Sequence, residues 1–329
     1  MDYLLLLLGL LLILGSAHLF TNGVEWLGFR FGLSHGVVGS VLAAVGTALP
    51  ESVIPLVALL LGGGDTGHAI GTGAILGAPF MLSTLALFIL GVAVVLYSFR
   101  RPSRPRALLA NPQVIGGDLR FFLISYVLAL LAGLPWVRPV KLGFAILLCL
   151  LYLLYLHRTF SRESPPLDRD EVEPLMIARH LPSPPLLLIL FQVLLALGVM
   201  VGGARVFVRQ VETLAELWGV SPLLLSLVIA PVATELPEKF NSIIWVGRSK
   251  DTLALGNITG AMVFQGSLLP ALGLALTPWR LGYLELITAT ISLFSAFVLY
   301  LGLVRREKLG LGQLFLAGAF YFLFLLLVF

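Results

Sequence analysis

Charge is what this sequence has least of. Only 12% of its 329 residues are Asp, Glu, Lys or Arg, while 59% are hydrophobic, against about a quarter and about a half in soluble domains. A chain so poor in charge cannot cover itself with polar surface, which excludes an ordinary soluble domain. Cysteine is nearly missing too. The lone Cys149 lies in an apolar run, so an intrachain disulfide is excluded and the residue reads as packing. The sequence has no glycine-rich phosphate loop, no His/Cys cluster at metal-ligand spacing and no nucleophile elbow, so nothing points to an enzyme or a bound cofactor.

What fills the chain is a series of apolar blocks near or above the roughly 20 residues that span a bilayer, with short polar joints between them. This predicts an all-α integral membrane protein of about ten transmembrane helices, at 3–20, 36–61, 69–98, 119–135, 139–157, 186–208, 221–247, 252–277, 281–304 and 311–328. The first block opens MDY without a basic residue and has a counterpart later in the chain, so it reads as a helix rather than a signal peptide.

Lys and Arg concentrate after the odd-numbered helices: Arg30, RRPSRPR (100–106), Arg158 to Arg179, Arg248 with Lys250, and RREK (305–308). The other side holds chiefly Arg138, Lys141, Arg209 and Arg280. Basic loops stay cytoplasmic, so both termini are expected outside. The net charge of +4 is largely this bias and carries no expectation of nucleic-acid binding. The compact loops and the bias together fit a multi-pass protein of a bacterial inner membrane. Partners are then the bilayer and small ions, with the oligomeric state left open.

The longest polar stretch, His157 to Pro185, carries SPP and PSPP turns and the mixed charges DRDEVE (168–173). It reads as a solvated cytoplasmic linker (158–185) between two halves, 1–157 and 186–329. An ion-binding regulatory loop fits less well, because its carboxylates are interspersed with arginines.

The halves are related. GSAHLFTNGVEWLGFRFGLSHGVVGSVLAAVGTALPE (15–51) lies over GGARVFVRQVETLAELWGVSPLLLSLVIAPVATELPE (202–238) at a shift of 187, with Glu25/Glu212, Thr47/Thr234, Pro50/Pro237 and Glu51/Glu238 among the identities. A second pair follows, GDTGHAIGTGAILGAPF (64–80) against KDTLALGNITGAMVF (250–264). Five helices per half make the copies inverted, as in many secondary transporters with alternating access.

A glutamate inside a hydrophobic helix is costly and persists chiefly where it meets a cavity, a partner or an ion. Glu51 and Glu238 are two such residues at matched positions, each directly after a proline. Proline removes a backbone donor, so the helix is expected to break there and to free carbonyls near Ala44 to Thr47 and Pro231 to Thr234. Carboxylate, hydroxyl and carbonyl oxygens together suit hard cations such as Ca²⁺ and Na⁺. The alternative is a pair of buried glutamates that only fix packing.

At these residues the sequence resembles the cation/calcium exchanger superfamily. That family carries two alpha repeats, each with a Gly-Thr-Ser-x-Pro-Glu core followed by Gly-Asn-x-x-Gly-Ser-Asn on the next helix. Here the cores read AVGTALPE (44–51) and PVATELPE (231–238), and the next segments read GAILGAPF (73–80) and GNITGAMVF (256–264). The resemblance implies that Glu51 and Glu238 bind the cation, that Thr47 and Thr234 lend hydroxyl or backbone oxygens, and that Ala44 and Pro231 lend carbonyls. Asn257 matches the family asparagine, and Gln265 a polar position further along. Departures are Ala48 and Glu235 for the core serine, Ala78 and Ala261 for the serine on the next helix, and Leu82 opposite Gln265.

Glu235 lies three residues before Glu238, so both share a face if the helix persists. Lys239 is four beyond Glu235 and suitably spaced for an ion pair, which would stand in for a bound monovalent ion and alter coupling stoichiometry. A lysine snorkelling to an interface is the plainer reading. Among lesser candidates, Glu25 and Glu212 read as ordinary residues near helix ends, and Asp65 and Asp251 as N-terminal helix residues favoured by the dipole. His18 and His68 carry little, and Gly71, Gly73, Gly77, Gly256 and Gly260 read as close helix contacts.

The expected function is therefore a secondary antiporter moving Ca²⁺ against Na⁺ or H⁺ around paired glutamates at the bilayer midplane. A same-fold exchanger of other cations (Na⁺/H⁺, K⁺, Mg²⁺ or Mn²⁺) and an ion-binding membrane protein without transport are the competing readings.

Overall fold

A computed structural model describes residues 2–31, 43–101, 104–160 and 173–328, with positions 43–48, 160, 236–238, 240 and 241 described by backbone alone. Within the hydrocarbon every backbone N–H and C=O must find its partner inside the chain, and helices achieve this segment by segment. The first half accordingly forms α1 (Asp2–Arg30), α2 (Ala43–Leu61), α3 (Gly64–Met81), which continues through a π-helical turn at Leu82–Ala86 into α4 (Leu87–Arg100), then α5 (Pro112–Leu131) and α6 (Arg138–Phe160). The second half forms α7 (Leu186–Trp218), α8 (Pro222–Gly247), α9 (Asp251–Gln265), α10 (Leu268–Leu276), α11 (Tyr283–Arg306) and α12 (Leu311–Val328). A two-residue antiparallel pair, β1 (Ala107–Leu108) with β2 (Leu309–Gly310), joins the loops that carry it.

Eight helical segments among the described residues are long and apolar enough to cross a bilayer, and α2 and α8 supply shorter apolar stretches at Leu49–Leu61 and Pro222–Glu235. The protein is thus an all-α membrane protein, with four such segments and one shorter apolar stretch in each half among the described residues. Several helices depart from the hydropathy-based bounds: α3 starts at Gly64 rather than 69, and the helix expected over 252–277 is interrupted at Gly266 and Ser267, where α9 gives way to α10. α1 and α7 run about ten residues past the expected ends, to Arg30 and Trp218, because hydropathy marks where the membrane stops and not where the helix does. At 1.5 Å per residue they are about 44 and 50 Å long, more than the hydrocarbon core requires. Gly219 ends α7 in the left-handed conformation, with φ of 65°. α5 starts at Pro112, well before the expected 119. Asn111 caps it by accepting from the Gln113 N–H at 2.9 Å, with proline in the first turn, a start signal that Gly116, Gly117 and Asp118 obscure.

The helices sort into two compact units, Met1–Gly71 with Leu153–Pro222, and Thr72–Tyr152 with Leu223–Phe329. Each unit draws on both sequence repeats. In the first, the repeat-related helices α1 and α7 pack along each other and α2 lies against both. Their crossing has no room for side chains: a Cβ on Gly9 would stand 2.9 Å from the Phe207 nitrogen, and one on Gly203 would stand 2.9 Å from the Gly9 carbonyl.

The linker differs from expectation where it is described. Residues 173–178 are seated on the α1/α7 pair. The Trp26 indole donates to the Glu173 carbonyl at 2.9 Å, and the Met176 N–H donates to Asn22 Oδ1 at 3.0 Å. Gln192 donates to Asn22 Oδ1 at 3.0 Å and accepts from the Ile177 N–H at 3.1 Å. Leu175 and Ala178 are buried with Trp26 and Ile189. A buried polar node left half-satisfied costs about 1–3 kcal/mol. Asn22→Leu is therefore expected to speed trypsin cleavage at the exposed Arg179 by about 5- to 100-fold, read by limited proteolysis in detergent.

In the second unit α5 packs on α9 and α11, and α12 on α4. Two clusters of basic residues close its ends. On one side Arg104, 6% exposed, donates to Asp251 Oδ1 at 2.7 Å and to Ser249 at 2.9 Å, while the Leu109 N–H reaches Asp251 Oδ2 at 2.9 Å. Asp251 does lie in the first turn of α9, and it also anchors the loop after α4. On the other side Arg138 donates to the carbonyls of Leu274 at 2.8 Å and Thr277 at 2.6 Å, and Lys141 to those of Pro278 and Trp279 at 2.7 and 3.1 Å. Arg138 and Lys141, two of the exceptions to the basic-loop bias, serve to satisfy carbonyls at and beyond the end of α10.

Candidate cation site

Both glutamate-bearing helices run through their prolines unbroken: α2 is helical across Pro50 and Pro55, and α8 across Pro231 and Pro237. The expected break is absent. A proline deletes one N–H without unwinding its neighbours, and in a membrane a neighbouring helix can take up the freed carbonyl. Pro50 and Pro237 leave the carbonyls of Gly46 and Ala233 without their helical donors, while those of Ala44 and Pro231 stay within the ladder. Pro231 likewise frees the Leu227 carbonyl, and there α3 meets α8. A Cβ on Gly77 would lie 2.1 Å from that oxygen, and one on Gly73 would lie 2.4 Å from the Leu223 oxygen. A Cβ on Gly71 would stand 2.6 Å from the Leu59 side chain, whereas Gly256 has ordinary room.

In the first unit Glu51 is buried near the middle of α2, 5% exposed, with Val53, Ile54, Val57 and Ala58 buried after it. The side chains of Ala44, Thr47 and Glu238 lie outside the described set, so their helical positions are the whole of what is placed. The same unit holds a cavity of about 400 Å³ at the end of α2, lined by Leu61, Gly62, Arg205, Arg209 and Glu212. Glu212 and its repeat mate Glu25 sit in the last two turns of α7 and α1, half-buried.

The second unit brings several predicted residues together. Glu235 and Lys239, 1% and 2% exposed, form an ion pair along α8 with Nζ to Oε2 at 3.3 Å. Gln265, at the end of α9, donates its amide to the other carboxylate oxygen of Glu235, and its own buried Oε1 has no hydrogen-bond partner among the described residues. Thr234 donates its hydroxyl to the Ala230 carbonyl at 3.0 Å, and Asn257 its amide to Ser242 Oγ at 3.0 Å. An amide oxygen, a hydroxyl oxygen and proline-freed carbonyls are each of the kind that hard cations take as ligands.

One buried acid escaped sequence reasoning. Asp118, 7% exposed on α5, accepts the Thr259 hydroxyl of α9 at 2.6 Å. Its available signals were the Asn111-Pro112 helix start, which places it two turns inside a span, and its partner's position within GNITG (256–260).

The sequence profile of the family described as "Sodium/calcium exchanger protein" matches residues 1–160 and 188–329. The chain is similar to the inner membrane protein YrbG of Escherichia coli K12, 28% identical over 279 residues, covering 83% of this chain and 79% of that one. Among solved structures it resembles the H⁺/Ca²⁺ exchanger CAX, at TM-score 0.74 and 19% identity over all of this chain and 82% of that one. It also resembles the sodium-calcium exchanger NCX_Mj soaked with Na⁺ and Sr²⁺, at TM-score 0.58 and 20% identity over 98% of each.

Proposed function

The chain belongs to the sodium/calcium exchanger protein family, a family of cation antiporters and not of enzymes, and from that premise we propose that it exchanges Ca²⁺ for Na⁺ or H⁺. Glu51 and Glu238 are the charges that the transported cations neutralise, with Thr47, Thr234, Asn257 and Gln265 and the proline-freed carbonyls of Gly46 and Ala233 as further oxygen donors. Glu235 belongs to the same stretch of α8 as Glu238.

One observation carries the reading: a carboxylate buried at mid-helix, Glu51, recurs with its proline at a shift of 187 on α8. An uncompensated charge is costly inside the hydrocarbon. Two carboxylates are neutralised equally by one Ca²⁺ or by two monovalent ions. A protein that changes its exposed face only when its carboxylates are loaded must therefore exchange one load for the other, and inverted repeats supply the two faces. The named activities of the two solved neighbours, one H⁺-coupled and one Na⁺-coupled, leave both partners in play for this chain. Both termini face outward in this reading on the loop charges alone, and the bacterial inner membrane is supported by the name of YrbG.

The test is uptake of radioactive Ca²⁺ into proteoliposomes under an imposed Na⁺ gradient and, separately, a pH gradient. Uptake under one of them names the coupling ion. Absence of uptake under both, in folded protein, moves the assignment to another cation.

A further inference from the structure

We propose, on the exchanger reading above, that the ammonium of Lys239 is a tethered cation held on Glu235, so that the second half carries an ion that never leaves. Both carboxylate oxygens of Glu235 meet a donor among the described residues. Its Oε2 faces Lys239 Nζ at 3.3 Å, its Oε1 accepts from Gln265, and both charged residues are almost wholly buried. A carboxylate whose charge is balanced by a lysine and whose two oxygens each meet a protein donor attracts an ion from solution far less than a bare one. The adjoining Gln265 Oε1, buried and unpartnered among the described residues, remains a neutral ligand.

The first repeat lacks this device. Its matched positions are Ala48 and Ser52, so the second repeat has acquired a negative and a positive charge together. Buried pairs of this kind contribute little net stability, yet removing one member leaves a costly lone charge. The pair therefore adds no net charge to the two matched glutamates. With two negative charges to balance, the exchange runs at two monovalent cations per Ca²⁺ and moves no net charge. Were Glu235 open to a mobile ion, a third monovalent cation would enter the cycle and the exchange would respond to voltage.

The experiment clamps proteoliposomes with K⁺ and valinomycin at fixed Na⁺ and Ca²⁺ gradients and equal pH, and reads the Ca²⁺ ratio at which net flux stops. For the wild-type chain that ratio is expected to ignore the imposed potential. In Lys239→Ala the freed carboxylate recruits one more monovalent cation, and the ratio is expected to change about tenfold for each 59 mV or so. The charge-neutral double variant Glu235→Gln/Lys239→Ala, which leaves no lone buried charge, and Lys239→Arg, which keeps a cation, are expected to return to voltage independence at whatever rate they run. Voltage-dependent stoichiometry in the wild type, or in the double variant, overturns the inference, as does a folded Lys239→Ala that still ignores voltage. If wild-type protein shows cation-driven exchange under no gradient, the exchanger reading itself fails and this inference with it.

Discussion

Glu51→Gln is expected to cut gradient-driven Ca²⁺ uptake at least ~30-fold, and Glu238→Gln to do the same. The substitution keeps the size of the side chain and one carbonyl oxygen, and removes a single charge. Glu51 is 5% exposed, so water screens its interaction with a cation little. Truncating one partner of a buried charge pair costs about 2–5 kcal/mol, and each ~1.4 kcal/mol is a factor of ten in affinity. The loss should appear in equilibrium Ca²⁺ binding as well as in flux, which separates weaker binding from slower movement. Unchanged uptake in both variants would remove the matched glutamates from the site and leave their conserved spacing between repeats to packing. Loss in only one would mean that the copies have divided their roles.

Gly77→Leu is expected to abolish the folded protein rather than merely slow it. A Cβ at this position would stand 2.1 Å from the Leu227 carbonyl oxygen, 2.8 Å from its carbon and 2.8 Å from the Pro231 ring. None of these is the far end of a flexible side chain. The helices can only part, and overpacking a tight core costs about 1–3 kcal/mol even where side chains can move aside. Separation would also expose the Leu227 carbonyl that Pro231 deprives of its helical donor. The measurement is monodisperse yield in detergent, with Gly256→Leu as the control. A Cβ on Gly256 meets only Ile115, at 3.8 Å, so that variant should survive far better. Equal yields would show that α3 and α8 do not need their close approach.

The spans, the repeat and the glutamates were legible because each is written locally, in the length of an apolar run or in a motif that occurs twice. The pair of Glu235 with Lys239 was legible for the same reason, since four residues on a helix are neighbours. What hydropathy missed depends on partners far apart in the chain. Asp118 looks like a loop residue until Thr259, 141 positions on, accounts for it. Arg104 reads as one more basic loop residue until Asp251 is found beside it. The linker composition predicts solvation, but Trp26, Asn22 and Gln192 hold its final part against α1 and α7. The unbroken helices teach the converse. Proline at Pro50 and Pro237 was rightly taken to free carbonyls, but the loss of one N–H is too small a change to unwind a membrane helix.

Each compact unit is assembled from both repeats, and this bears on how the gene can be cut. A polypeptide ending near residue 160 would hold α1 without α7 and α5 without α9, so neither unit would be complete in it. The second half expressed alone would be equally deficient. Two fragments severed between 161 and 172 should reassemble only when made in the same cell, each acting as the template on which the other finishes folding. Neither repeat is then a folding unit by itself: each compact unit closes only when both halves are present.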